Sequence, residues 1–111
     1  MTEENKSAIA LKYDKHQHKA PHVIAKGEQA LAEEILRLAQ EHDVPIYEDK
    51  ELVMALAQVE IGDEIPEVLY LAIAEVIAFV YQLENKQSKE KKQIREEIAS
   101  RKAVIKNRYE V

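Results

Sequence analysis

The sequence predicts an α/β fold of short strands joined by helices, with an additional charged helix at the C-terminus. Three observations predict it. Ile9, Leu11 and Tyr13 alternate with smaller or polar neighbours, as on a half-buried strand. Through residues 28–42 apolar side chains recur at steps of three and four, the period of one helix face. A second short apolar run, residues 44–47, follows that helix. A helix between two short strands is the pattern of a βαβ unit.

The elements follow in order. Polar residues from Asp14 to Lys19, then Pro21, separate the first strand from a short apolar run through Val23 and Ile24. Gly27 punctuates the chain before the first helix, whose apolar face is Ala30, Leu31, Ile35, Leu38 and Ala39, with Leu36 beside them. Glu28 suits the positive end of that helix, and Glu33 and Arg37 are spaced to pair on its surface. His42, Asp43 and Pro45 end it, because Pro45 biases Val44 away from helical geometry. Leu52, Val53, Leu56 and Ala57 mark a short helix over residues 49–58. Val59-Glu60-Ile61 and then Gly62 read as a brief extended segment and a turn.

Pro66 stands in the first turn of the next helix, residues 66–84, with Asp63 or Glu64 as its cap. That helix is apolar nearly all round: Val68, Leu69, Leu71, Ile73, Val76, Ile77, Phe79, Val80 and Leu83. Residues 68–83 reach only about 24 Å at 1.5 Å per residue, short of the roughly 30 Å of a bilayer core. Glu75 in the middle would also be costly in lipid. The segment reads as a buried core helix. Beyond Asn85, Ile94, Ile98 and Ile105 lie four and seven apart, a thin stripe on a helix expected over residues 88–108.

Composition bounds the function. The 111 residues suffice for one domain, and 46% are hydrophobic. With no cysteine there are no disulfides, thiolate metal sites or thiol nucleophiles. Met1 to Asn5 carry two Glu and no apolar stretch, so no secretory leader is expected. Net charge is −5, unevenly spread. Residues 86–111 hold nine Lys+Arg against four Glu, leaving 7 basic and 17 acidic residues in residues 1–85. The expected organisation is an acidic body, 1–85, and a basic helical tail, 86–111. An acidic body is a poor nucleic-acid platform, since phosphate contacts need Lys and Arg on the contact face.

The order of segments is itself specific. It runs Ala8-Ile9-Ala10-Leu11-Lys12-Tyr13-Asp14, Ala20-Pro21-His22-Val23-Ile24-Ala25-Lys26-Gly27, Val44-Pro45-Ile46, Glu60-Ile61-Gly62-Asp63-Glu64-Ile65-Pro66, Leu69-Tyr70, and Ala74-Glu75-Val76-Ile77-Ala78. This series resembles the cytoplasmic C-terminal domain of the type III export switch proteins, the flagellar FlhB and the injectisome YscU/EscU/HrcU group. The resemblance implies a small mixed β-sheet surrounded by about four helices. It also implies a self-cleaving Asn-Pro-Thr-His tetrapeptide directly before the first strand. Here Glu3, Glu4, Asn5 and Lys6 occupy those four places. Glu3 cannot supply the amide nucleophile, so self-cleavage is expected to be absent. The family's Pro-rich step is replaced by Asp49-Lys50-Glu51, and its hydrophobic membrane region has no counterpart. The chain thus reads as a free-standing copy of the released piece. In intact relatives an upstream strand joins the same sheet, so the strand from Ile9 to Tyr13 is expected to present an open docking edge.

Site residues follow from the same resemblance. Ala20 and Pro21, with Ala74 and Ile77, match an apolar patch implicated in docking export substrates in flagellar members. Read from the residues alone, Ala74 and Ile77 share a helix face and are better explained as core; only the resemblance raises docking to an equal footing. His16, His18 and His22 form a His-rich loop, read as a solvated linker rather than a metal site. Glu75 is expected to pair with Lys12 or Lys26. No Ser-His-Asp spacing, phosphate-cradling glycine loop or dinucleotide fingerprint is present, and no enzyme or cofactor is expected. The expected role is a cytoplasmic, non-catalytic module at the inner-membrane export gate. Its expected partners are export-gate proteins, export substrates or the hook-length ruler. The alternative is a regulator that binds an anionic partner through the basic tail.

Overall fold

The computed structural model describes residues 5–14, 20–85 and 100–107. Its elements are β1 (Ser7–Asp14), β2 (His22–Glu28), α1 (Ala30–Glu41), β3 (Ile46–Glu48), α2 (Lys50–Leu56), a 3₁₀ turn (Glu67–Leu69), α3 (Tyr70–Asn85) and β4 (Ser100–Lys106). The strands form one mixed sheet in the order β2-β1-β4-β3. β1 is antiparallel to both neighbours, and β3 runs parallel to β4.

Alternation along β1 assigns the two faces of the sheet. Ile9 and Leu11 join the main core with Val23, Ala103 and Ile105 of the sheet, Leu52, Val53 and Leu56 of α2, and Ile73, Val76 and Val80 of α3. Ala8 lies on the opposite face with Val104, against Ala32, Ile35 and Ala39 of α1. Small residues therefore face α1 and large ones face α2 and α3, which lets α1 approach closely. Gly27, paired with Ala8 across the sheet, is part of that approach. A Cβ on Gly27 would stand 2.6 Å from Leu31 Cγ and 3.0 Å from both Ile35 Cδ1 and the Leu31 carbonyl carbon. Gly27 is thus a strand residue of β2 chosen for helix packing, rather than the break expected before α1.

Caps fix the helix ends. Asp49 Oδ1 accepts from Leu52 N at 3.0 Å and starts α2. Lys26, facing α2 from β2, donates Nζ to the carbonyls of Ala57 (3.2 Å) and Val59 (2.8 Å) and closes the other end of that helix. α1 ends with Asp43 at φ 56°, and Val44 N donates back to Ala39 O at 2.8 Å. That is a Schellman closure with Asp where Gly is commoner. On the outer face of α1, Arg37 pairs with Glu34 and Glu41, and Glu33 pairs with Lys6 instead of with Arg37. The Arg37 guanidinium, bonded to Glu34, holds that carboxyl below its ordinary pKa.

Two expectations about the tail and the sheet edge are overturned. Residues 100–106, placed on a charged helix by the spacing of Ile94, Ile98 and Ile105, form β4 in the interior of the sheet; residues 88–99 of that expected helix lie outside the described residues. β4 pairs with β1 from Ala8↔Lys106 to Asp14↔Ser100 and with β3 from Ile46↔Val104 to Glu48↔Lys106. Ala103, Val104 and Ile105 are buried, and Ile105 is fully enclosed at 0% exposure. β1 therefore has a strand on each side and no open edge. Asn107 fastens the end of β4 to the start of β1: its Oδ1 accepts from Ser7 N at 2.9 Å, and its own N–H donates to Ser7 O at 3.2 Å. Its side-chain amide also donates to the Asn5 carbonyl.

Candidate functional site

The site is built where the chain enters β2. Three segments meet there: the end of β1, the Ala20-Pro21 step and one face of α3. The Pro21 carbonyl accepts from Ile65 N at 2.9 Å, and Val23 exchanges bonds with Asp63 O (3.0 Å) and Gly62 N (2.7 Å). His22 and Glu64 form an isolated bridge beside them. The loop around Gly62 thus acts as a fifth, very short partner strand and fixes Pro21. Asp63 and Glu64, expected as helix caps, serve this pairing through their backbone; Pro66, extended at φ −72° and ψ 155°, precedes the 3₁₀ turn instead. Gly62 is in the left-handed region at φ 97°. Substituting Gly62→Ala is expected to cost about 1–2 kcal/mol from that backbone alone. It should also loosen the Pro21 step, measured as faster amide exchange at Val23 and Ile65.

α3 supplies the opposite wall. At 100° per residue, Leu69, Ile73, Val76 and Val80 fall on one side of the helix, and of these Ile73, Val76 and Val80 are buried. Tyr70, Leu71, Ala74, Ile77, Ala78 and Tyr81 fall on another, and all but half-buried Ile77 are exposed, Leu71 at 81%. The helix was expected to be core all round; instead it has a buried apolar face and an exposed apolar face. The sheet covers the face carrying Ile73, Val76 and Val80, and the other points away from it. Phe79 lies edge-on to Tyr47 of β3 at a centroid distance of 5.2 Å and anchors α3 to the sheet edge. Glu75 is exposed, and among the described residues it makes no ion pair; Lys26 is committed to the end of α2.

Between these walls lies a groove of about 320 Å³ lined by Tyr13, Ala20, Pro21, Ile65, Tyr70, Ile73, Ala74, Ile77 and Tyr81. The four residues Ala20, Pro21, Ala74 and Ile77, drawn from segments far apart in sequence, therefore share one cleft. Ala20 and Pro21 are buried in its floor, and Ala74 is exposed on its wall. The cleft runs into an apolar slot to which Leu11, Val76, Val80 and, from β4, Lys102 and Ala103 contribute. Sequence reasoning missed Tyr13, Tyr70 and Tyr81, which give the groove an aromatic rim with hydroxyl groups. It missed the β4 residues for want of a strand assignment.

Other candidates are not drawn together. His22 is on β2, while His16 and His18 lie outside the described residues. Among the described residues no cluster of three His, Asp or Glu is placed to hold a metal ion, and no helix is long and apolar enough to cross a membrane. Glu3 and Glu4 also lie outside the described residues. Asn5 accepts from Gln29 Nε2 at 3.2 Å, and the Lys6 carbonyl accepts from Gln29 N at 2.8 Å. These two residues thus hold the start of β1 against the start of α1.

Comparison with known proteins agrees with this architecture. Two crystal structures of EscU C-terminal domain variants superpose with TM-scores of 0.64 and 0.65 at 32% and 31% identity. They cover 66% and 68% of this chain, and 68% and 93% of theirs. The uncharacterized Bacillus subtilis protein YlqH is 42% identical over 79 residues, 71% of this chain and 85% of its own length. The flagellar biosynthetic protein FlhB of the same organism is 45% identical over 80 residues, and that of Yersinia enterocolitica 47% over 77. These matches cover 71% and 68% of this chain but only 22% and 20% of the FlhB chains, so the chain spans about a fifth of those relatives. The family model described as FlhB HrpN YscU SpaS matches residues 2–80, a segment that ends before β4. On sequence and fold together, the chain belongs to the FlhB, HrpN, YscU and SpaS family of export switch proteins.

Proposed function

We propose that this chain is a non-catalytic docking module of the flagellar or type III export apparatus, acting at the cytoplasmic face of the export gate. It takes an extended apolar segment of an export substrate, such as the hook-length ruler, or of an export-gate protein, into the groove between Pro21 and α3. The observation that carries this reading is the exposed apolar face of α3 lying beside a groove that contains Ala20, Pro21, Ala74 and Ile77. An apolar face left open on a soluble domain is a recognised mark of an interaction site. The tyrosine rim adds hydroxyl groups able to bond a peptide backbone while the rings cover side chains.

Titration calorimetry with a purified export substrate tests the reading. Ala74 is exposed, so Ala74→Asp places a charge on the groove wall without disturbing the core. The variant should bind more than tenfold more weakly, about 1.4 kcal/mol or more, with an unchanged thermal midpoint. Equal affinity for wild type and variant would remove the groove from the account. Pro21→Asp is a poorer probe, because Pro21 is buried and the charge would also destabilise the fold. Salt separates the rival partner: an anionic ligand held by basic C-terminal residues loses affinity steeply with ionic strength, whereas groove docking does not. Deleting residues 86–111 cannot make this distinction, since β4 is part of the sheet.

Absence of self-cleavage is part of the same proposal. With Glu3 where the family's reactive Asn stands, the purified chain should keep its intact mass through long incubation. A product cut near residues 3–4 would contradict it.

A further inference from the structure

β2 is an edge strand of the sheet, and only part of its outer side is covered. Val23 faces outward, where it exchanges bonds with Asp63 O and Gly62 N. Gln29 N faces the other way and donates to Lys6 O. Strand residues alternate, so Ala25 and Gly27 turn their backbone groups to β1, on the same side as Gln29. Lys26 and Glu28 turn theirs outward, where among the described residues they meet no backbone partner. An open run of this kind is a template for another strand.

The side chains beside the run fit a second copy of this chain. When β2 is set antiparallel to itself about Gly27, Lys26 stands opposite the partner's Glu28, and Glu28 opposite the partner's Lys26. Opposite charges on facing strands attract. A lone lysine blunts an edge, but a glutamate two residues further on makes this edge a match for itself. Lys26 Nζ uses two of its three N–H groups on Ala57 and Val59, which leaves one for a carboxylate. Glu28 is exposed and, among the described residues, makes no ion pair. Leu31 is more than half exposed and lies over Gly27, 2.6 Å from where a Cβ would stand, so the axis brings it against the partner's Leu31. On the other face Met54, also more than half exposed, flanks the same run in a groove of about 550 Å³ that Lys26, Glu28 and Gln58 share.

We propose that two copies of this chain join edge to edge through residues 25–28 of β2, antiparallel about a two-fold axis at Gly27, into one continuous sheet. Directly opposed residues point to the same face, so both copies of α3 lie on one side of that sheet. The pair then presents two docking grooves in the same direction. The proposal rests on β2 and not on what the grooves bind.

Sedimentation of the wild-type chain up to roughly 1 mM should show a dimer growing in with concentration. The amides of Lys26 and Glu28 should become slow to exchange as it does. Glu28→Lys sets like charges opposite one another and should weaken the dimer about tenfold or more; because Glu28 is exposed, its thermal midpoint as a monomer should not change. Lys26→Glu should pair as poorly, and an equal mixture of the two variants should pair again, since every facing pair then has opposite charges. Lys26→Glu also removes the bonds that close α2; if it does not fold, Glu28→Lys against wild type decides alone. A wild-type monomer throughout that range overturns the proposal, as does a dimer whose Lys26 and Glu28 amides stay in fast exchange. So does a Glu28→Lys chain that pairs as tightly as wild type. Protection of those amides that appears only when an export substrate is added to a monomeric chain also overturns it, and gives the edge to a strand of that substrate.

Discussion

Ile105→Ala is expected to lower the stability of the fold by about 2–5 kcal/mol, the range for truncating a buried aliphatic side chain. In a domain of this size that is a fall in melting temperature on the order of 10–25 °C. Ile105 is fully buried, opposite Ile9 on β1 and Tyr47 on β3, in the main core. Its loss leaves a hole where three strands and two helices meet. Total stabilities of small domains are roughly 5–15 kcal/mol, so the variant should stand near the edge of folding. Lys102→Ala, exposed on the same strand, should change stability by no more than about 0.5 kcal/mol. Thermal unfolding followed by circular dichroism reads both. If residues 100–106 were a frayed surface helix, both variants would melt like the wild type, and the assignment of β4 would fail.

Gly27→Val should be the second severe change. Removing glycine from a strand ordinarily helps, by roughly 0.5–1 kcal/mol of recovered entropy. Here the opposing term is larger. The first added carbon already meets Leu31 Cγ at 2.6 Å and the Leu31 backbone at 3.0 Å. Leu31 is more than half exposed and its side chain can swing away, but the backbone contact yields only if α1 moves off the sheet. Overpacking of this sort costs about 1–3 kcal/mol, and the branched side chain should reach the upper end. Denaturant unfolding measures it. A variant as stable as the wild type would mean that α1 does not pack on β2 at this distance.

Much of this architecture was legible in the residues. Alternation at Ile9, Leu11 and Tyr13 marked β1, and three-and-four spacing from Ala30 to Ala39 marked α1. Leu52, Val53 and Leu56 marked α2, which the structure bounds at Lys50–Leu56 with Asp49 as its cap. β4 was hidden for a physical reason. A strand buried on both faces shows no alternation, and its apolar core is only Ala103-Val104-Ile105 among Lys and Arg. Ile94, Ile98 and Ile105 happened to keep helical spacing. The contiguous pair Val104-Ile105, β-branched and ill suited to a solvated helix, was the available signal.

The groove shows the opposite limit. Resemblance pointed to Ala20, Pro21, Ala74 and Ile77, but hydropathy could not say which were exposed. A helix with two apolar faces reads the same as one buried all round. Which face lies against the sheet is decided by tertiary packing, here that of Ile73, Val76 and Val80 in the main core with Leu11, Val23 and Ile105. The spacing that placed Tyr13 on a strand did not place it at a rim, and Tyr81 was missed because that rim is assembled from segments far apart in sequence.

The central claim is that an export partner lies between Pro21 and the exposed face of α3. Amide NMR of the labelled chain, titrated with an unlabelled export substrate, tests it most directly. Docking predicts that the signals of Ala20, Tyr70, Ala74, Ile77 and Tyr81 move together and that Ala74→Asp abolishes the movement. Binding that leaves those signals in place and shifts only the basic C-terminal residues would contradict it.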